Sequence, residues 1–285
     1  MTSDFFSYHI NWKSRGVHPG RHKSDQRGMG IEFAGHSNLL DYPDPRRIDL
    51  RMTMRDPMEQ IYVRIFNQRS ATPVMIFSDL SSSMRFGDDQ KNKLSQASEI
   101  AQIIKNSAFQ NSDAIGFVGF HDEIEEKWIA PLSYRPYRVD SLVDQMKSFH
   151  SEKKGTKAIS RLPQFLPKDH TLIFFISDFH MPNQDIIQFL NNTKKHTVVP
   201  IILWDKKEFS DLPKFGITTM TDPETLEERT ILIRKKLIKK IIHQFENQKK
   251  QLTEIFHRFD APPFFIEERF NPELMTQYFN EYYHA

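Results

Sequence analysis

The chain has 285 residues, room for one large α/β domain or two small ones, and its 24 Phe supply bulk for a substantial core. A net charge of +2 gives no field strong enough to argue for nucleic acid, and the absence of Cys excludes disulfides and thiolate metal sites while fitting a reducing compartment. No charged-then-apolar leader opens the N-terminus, and the longest apolar runs, Leu172 to Ile176 and Val198 to Trp204, are too short to span a bilayer, so a soluble cytoplasmic protein is expected.

Residues 1–30 are polar and rich in Gly and basic side chains, and read as a surface arm. Residues 1–70 together read as an arm and extension packed on a core that occupies 71–285. The turn from Asp41 to Asp49 is crowded with charge of both signs. Its neighbours Arg46, Arg47, Arg51 and Arg55 are expected to pair with Asp44, Asp49 and Asp56 rather than to hold an anion. Ile61 to Phe66 reads as a strand. Val74 to Phe77 is apolar without alternation, the pattern of a strand buried on both faces, and it runs straight into Ser78-Asp79-Leu80-Ser81-Ser82-Ser83.

Residues 90–109 carry Leu94, Ala97, Ile100, Ala101, Ile104 and Ala108 at helical period. Ala114 to Phe120 is a second buried strand, with Gly116 and Gly119 allowing close backbone approach. Glu125 to Ile129 alternates and reads as an edge strand, joined through a short turn at His121, Asp122 and Glu123. Val139 to Phe149 predicts a helix. A polar loop from Ser151 to Thr156 leads into a short helix with Ile159, Leu162 and Phe165. Thr171 to Asp178 is another buried strand, and again it ends in Ser-Asp. A helix over 183–195, a strand from Val198 to Trp204, a long helix with a basic face over 231–259, a short strand at Phe264 to Ile266 and a closing helix from Leu274 to Tyr283 complete the chain. This alternation predicts an α/β fold with a doubly wound, mostly parallel sheet and right-handed crossovers.

In a doubly wound sheet of order 3-2-1-4-5-6, strands 1 and 4 are neighbours, and ligands collect in the crevice at their carboxyl ends. Asp79 ends strand 1 and Asp178 ends strand 4, so the two carboxylates should face each other. Ser81 and Ser83 follow Asp79 on a tight turn, and Thr156 lies on a loop that can reach the same crevice. Two carboxylates and three hydroxyls are hard oxygen donors suited to Mg²⁺ or Mn²⁺, and such a set leaves a coordination position open for an acidic group from outside. The competing reading is a Ser-rich turn whose Asp caps the next helix.

Asp79-x-Ser81-x-Ser83, Thr156 and Asp178, in this order and on these elements, resemble the metal-ion-dependent adhesion site of von Willebrand factor A domains. The segment ahead of the site is similar to one branch of that group. Gly28-x-Gly30-Ile31-Glu32-Phe33, Asp44-Pro45-Arg46-Arg47-Ile48-Asp49, Tyr62-Val63-Arg64, Ser81-x-Ser83-Met84-x-Phe86-Gly87 and Asp222-Pro223-Glu224-Thr225 resemble domain-of-unknown-function family 58, whose members accompany MoxR-type AAA+ ATPases. Leu50 stands where that family usually has Trp, and Tyr42-Pro43 replaces a Gly-Asp turn. Many longer members carry membrane helices ahead of this region; the short form is similar to the member encoded with methanol-oxidation genes.

The resemblance implies a non-enzymatic, Mg²⁺-dependent protein-binding module. It would act as an adaptor or maturation factor with a MoxR-type ATPase and an acidic protein client, methanol dehydrogenase assembly being one such setting. Arg85, His121, Lys153, Lys154 and His180 would frame the contact. The alternative is a Mg²⁺-dependent phosphoester hydrolase using the same carboxylates. Against it, Ser81 stands where a haloacid-dehalogenase-like phosphatase carries a second Asp, and no phosphate-binding Gly-x-x-x-x-Gly-Lys-Ser/Thr loop is present.

Overall fold

Six strands form the central sheet of the computed structural model, which describes residues 4–14, 18–88, 91–149, 155–205, 216–221, 228–233 and 235–283. In chain order the strands are β1 (Pro19–Asn38), β2 (Tyr62–Ser70), β3 (Pro73–Asp79), β4 (Gly87–Asp88), β5 (Lys91–Asn92), β6 (Ala114–Phe120), β7 (Ile129–Ser133), β8 (Leu172–Ser177), β9 (Thr197–Leu203), β10 (Gly216–Thr221), β11 (Glu228–Ile233) and β12 (Phe264–Ile266). The α-helices are α1 (Leu50–Thr53), α2 (Lys93–Gln110), α3 (Tyr137–Lys147), α4 (Asn183–Asn192), α5 (Lys235–His257) and α6 (Pro272–Tyr282), and a 3₁₀ helix runs over Lys157–Phe165. The central sheet has the order β12-β9-β8-β3-β6-β7. All its pairs are parallel except β6 with β7. Counted along the core, this is the expected 3-2-1-4-5-6 arrangement, with β3 and β8 side by side in the middle.

The unbroken apolar run of β3 has a direct explanation in the two layers that cover it. Val74 and Ile76 point into one core with Leu94, Ile100 and Ile104 of α2, Leu142 and Val143 of α3 and Phe279 of α6. Met75 and Phe77 point into the other, with Ile159 and Leu162, Phe189 of α4 and Phe256 of α5. A strand with helices on both faces has no polar side to show, so alternation disappears.

Three boundaries differ from the sequence reading. The edge strand is Ile129–Ser133 rather than 125–129, because residues 126–128 turn in a 3₁₀ helix that buries Trp128. The long helix begins at Lys235, and residues 231–233 are instead strand, paired antiparallel with Gly216–Thr221; β-branched Thr230, Ile231 and Ile233 favour that state. The helix that ends the chain starts at Pro272, where Asn271 accepts the N–H of Glu273. The Asp222–Thr225 stretch lies outside the described residues.

The N-terminal segment also departs from a surface arm. Phe6, Tyr8 and Ile10 are buried at alternate positions. Phe6 stacks on Phe279, and both Phe6 and Tyr8 meet the edge of Phe174. Asp113 ties the segment down: its carboxylate accepts Tyr8 Oη and the Thr72 N–H (2.7 Å), and lies 2.8 Å from His22 Nε2. Residues 19–38 form β1 and pair with β2 through several bulges. The expected pairing in the Arg-rich turn is partial. Arg47 meets Asp44 at 3.3 Å, but Asp49 is held by His36 and Arg64 and caps α1 through the N–H groups of Arg51 and Met52.

Gly119 of β6 shows how closely the site strand is packed. A Cβ there would lie 2.5 Å from Leu80 Cδ1, 3.2 Å from Leu80 Cγ and 3.2 Å from Trp128 Cβ. Leu80 is fully buried and follows Asp79 directly. Gly119→Val should therefore lower unfolding free energy by about 1–3 kcal/mol, the range for overpacking a tight core, in denaturant melts. An unchanged midpoint would mean that the Leu80 turn yields freely.

Candidate functional site

The parallel register sets β3 and β8 so that Ser78 lies opposite Ile176, which carries Asp79 and Ser177 together to the carboxyl edge of the sheet. Ser177 Oγ donates to Asp79 Oδ2 at 2.7 Å, and Asp79 Oδ1 accepts the Ser81 N–H at 2.8 Å. One residue further on, Asp178 repeats the turn. Its Oδ1 accepts the His180 N–H at 3.1 Å, and its backbone carbonyl accepts the Trp204 indole at 2.9 Å. Each Asp thus bends its own strand end into a side-chain-to-backbone turn. Both Asp79 and Asp178 are essentially inaccessible. Ser81 Oγ and Ser83 Oγ converge to 3.0 Å at the start of a short 3₁₀ turn.

Between Asp178 and His180, Phe179 takes φ = 53°, a costly backbone for a bulky residue. Packing holds it there: the ring lies 4.9 Å from Phe175 and 5.1 Å from Phe256, and Ser177 Oγ accepts the Phe179 N–H at 2.9 Å.

Thr156 is half-buried at the head of the 3₁₀ helix, on the loop the sequence assigned to the crevice. Gly155 before it has φ = 90°, and a Cβ there would fall 2.3 Å from Asp122 Oδ1, so the loop is pressed against the end of β6. The structure brings Asp79, Ser81, Ser83 and Asp178 to one edge; no hydrogen bond among the described residues ties the Thr156 hydroxyl to them. His121 is turned inward. Its Nδ1 accepts the Glu123 N–H at 3.0 Å, leaving Nε2 to donate to Glu125 at 2.9 Å, so it braces the loop instead of facing outward. His180 stacks over Trp204 with an interplanar angle of 11°. Arg85 is exposed; Lys153 and Lys154 lie outside the described residues.

Two residues escaped the sequence reading. In the sequence Ser177 reads only as part of a Ser-Asp strand end; its hydroxyl reaches from β8 to the Asp79 carboxyl of β3. Lys93 is the other. It opens α2, its side chain is 3% exposed, and its Nζ sits 3.1 Å from Asp178 Oδ2. A lysine in the first turn of a helix opposes the helix dipole, and that misplaced charge is the signal that could have marked it.

Electrostatics separate the two carboxyls. Burial, reinforced by the Asp178 charge, pushes the Asp79 carboxyl up to about 7, against the hydrogen bonds from Ser177 and Ser81. Burial opposes ionisation of Asp178 too, but the Lys93 ammonium, His180 and the His180 N–H outweigh it and hold that carboxyl below its ordinary value. Among the described residues no cluster of three or more His, Asp or Glu could hold a metal by itself. A cation here would rest on the two carboxylates and neighbouring hydroxyls, a hard-oxygen set that fits Mg²⁺ or Mn²⁺.

Residues 43–252 match the family described as proteins of unknown function DUF58. The chain belongs to this family. No curated protein matches this DUF58 chain. Among solved structures, BatB from Bacteroides thetaiotaomicron is 14% identical, with 74% of this chain and 98% of that one covered and a TM-score of 0.47. An aerotolerance-related membrane protein from Bacteroides fragilis is 16% identical, with 74% and 98% covered and a TM-score of 0.43. Proximal thread matrix protein 1 from the mussel byssus, with a zinc-occupied MIDAS motif, is 13% identical, with 47% and 38% covered and a TM-score of 0.34. No helix among the described residues is long and apolar enough to cross a membrane.

The geometry distinguishes two serines. Ser177→Ala removes the donor to a buried carboxyl and the acceptor for a strained N–H, and should cost about 1–3 kcal/mol. Ser78 Oγ is buried and has no partner among the described residues, so Ser78→Ala should be neutral within about 0.5 kcal/mol or stabilising. Equilibrium unfolding of both variants checks the contrast; equal losses would contradict the hydrogen bonding described.

Proposed function

We propose that this DUF58 chain is a von Willebrand factor A-like, Mg²⁺-dependent protein-binding module that takes an acidic side chain of its partner at the edge formed by Asp79, Ser81, Ser83 and Asp178, with Thr156 supplied from the neighbouring loop. The observation that carries the reading is the convergence of paired carboxylates and paired hydroxyls at the ends of the two central strands. Asp79, Ser81 and Ser83 would hold the metal, and Asp178 would support it from the next strand. Bound there, the ion would supply a positive charge only partly neutralised by its ligands, and a carboxylate from outside forms a charge-assisted contact with such a charge. Exposed Phe86 and Arg85, on the turn just beyond the hydroxyls, would flank the incoming group.

A MoxR-type AAA+ ATPase, acting with an acidic client protein, is the partner this reading names. The sequence motifs support it: the Asp44–Asp49 and Ser81–Gly87 stretches resemble those of proteins that accompany such ATPases. The role is that of an adaptor or maturation factor in the cytoplasm, without catalysis of its own.

Two measurements test the proposal. Chelator-treated protein should melt higher when Mg²⁺ is added, because a ligand of the native state stabilises it by about 2.7 kcal/mol at a hundred times its Kd; Asp79→Ala should lose the response. Recovery of the ATPase or its client in pull-downs should fall on chelation and in the Ser81→Ala/Ser83→Ala double variant, with folding verified by circular dichroism. Equal recovery in all conditions would move the interface away from the metal edge, to the Arg46–Arg55 region.

A further inference from the structure

The Lys93 ammonium, 3.1 Å from Asp178 Oδ2, is a charge beside the candidate site that no metal-binding role accounts for. It is buried, and buried lysines are rare unless paired. Its partner, Asp178, is 1% exposed. The pair lies at the carboxyl edge of β8, one residue beyond the Ser177 hydroxyl that holds Asp79. Lys93 is also anchored locally. Its N–H donates to the Phe86 carbonyl at 3.2 Å, and its Nζ lies 5.8 Å from the centre of the Phe86 ring. Asn92 caps the helix beneath it by accepting the Ser95 N–H at 2.7 Å. The backbone of Lys93 is thus anchored to Phe86 and to the capped start of α2, while its four-carbon stem leaves the ammonium able to move.

We propose that Lys93 is a built-in competitor for the cation position: its ammonium neutralises Asp178 when no metal is present, and it must leave that carboxylate before a divalent ion can draw on it. This rests on the metal-site reading above and adds the device that sets the site's affinity. Two cations cannot share one buried carboxylate without like-charge repulsion in a poorly solvated place. Metal entry therefore costs the Lys93–Asp178 pair. Conversely, the pair spares the empty site an unpartnered buried charge, which is severely destabilising. Because Lys93 also contacts Phe86, its displacement would be felt on the exposed turn that carries Phe86 and Arg85, so metal occupancy and the shape of the binding surface would change together.

The test uses the full chain, chelator-treated, as wild type, Lys93→Met and Lys93→Gln, with Mg²⁺ alone as the probe. Calorimetric titration should show at least tenfold tighter Mg²⁺ binding in Lys93→Met than in wild type. In thermal melts Lys93→Met should fall below wild type in chelator, and saturating Mg²⁺ should close most of that gap. Adding Asp178→Asn to Lys93→Met should abolish the gain in affinity. If Lys93→Met does not fold in chelator, recovery of its circular dichroism spectrum on adding Mg²⁺ supports the proposal equally. Wild type and Lys93→Met binding Mg²⁺ with equal affinity, or weaker binding by the variant, would overturn the competitor role while leaving the metal site intact. No binding by any form would overturn both. Failure of both Lys93→Met and Lys93→Gln to fold even in Mg²⁺ would show that the ammonium is needed regardless of metal, and the proposal would fall.

Discussion

Two carboxyls are buried side by side at the ends of neighbouring parallel strands, and the surroundings must make that tolerable. Neither can reach water. Leaving both ionised and unpartnered in such a place costs several kcal/mol per charge. The chain meets this asymmetrically. Asp178 keeps its charge against Lys93, while burial and the Asp178 charge drive Asp79 toward its neutral form, with Ser177 and Ser81 hydrogen-bonded to its two oxygens. Two like groups given opposite electrostatic settings are a recurrent mark of functional sites. Here the division arises from burial acting on both carboxyls while Lys93, first, and His180 favour the charged form of Asp178 alone.

The surrounding fold is arranged to keep those partners in place. Doubly wound topology puts β3 and β8 in the middle of the sheet, where both faces are covered, so the strand ends cannot splay. Gly119 lets Leu80 settle against β6 just after Asp79. Phe179 accepts an unfavourable backbone so that Asp178 and His180 both turn in, and the aromatic cluster of Phe175, Phe179 and Phe256 holds it there. Strain at a strand end, offset by the packing below it, persists only where the surroundings over-determine it, and here the aromatic cluster does so.

The parts legible in the sequence were those that depend on periodicity and order. Unbroken apolar runs marked β3, β6, β8 and β9, and the alternation of strand and helix placed β3 beside β8, which alone brings Asp79 toward Asp178. What escaped depends on single residues or on partners far away in the chain. Phe6, Tyr8 and Ile10 do alternate, but only briefly within a polar stretch, and their burial is fixed by Phe174 and Phe279. The β10–β11 pairing converts residues 231–233 from an apparent helix start into strand, because a helical stripe and a short β-branched run look alike over so few positions. Lys93 was hidden because α2 was recognised by its apolar face, and a charged residue at its first position carries no periodic signal.

The asymmetry at the strand ends also constrains how any partner could be read out. With the Asp79 carboxyl raised toward its neutral form and Asp178 paired with Lys93, this edge carries less negative charge than two free carboxylates would. The hydroxyls of Ser81 and Ser83, hydrogen-bonded to each other, add no charge. A change at the buried pair would be passed on by contact: to the Phe86 turn through Lys93, to the Trp204 indole through the Asp178 carbonyl, and, by way of the neighbouring His180, to α5 through Gln248, 3.5 Å from His180 Nδ1. A perturbation at Asp178 therefore has short, packed routes to an exposed turn on one side and to a long helix on the other. Local chemistry at the sheet edge is thus joined by direct contact to the Phe86 turn through Lys93 and to α5 through His180 and Gln248.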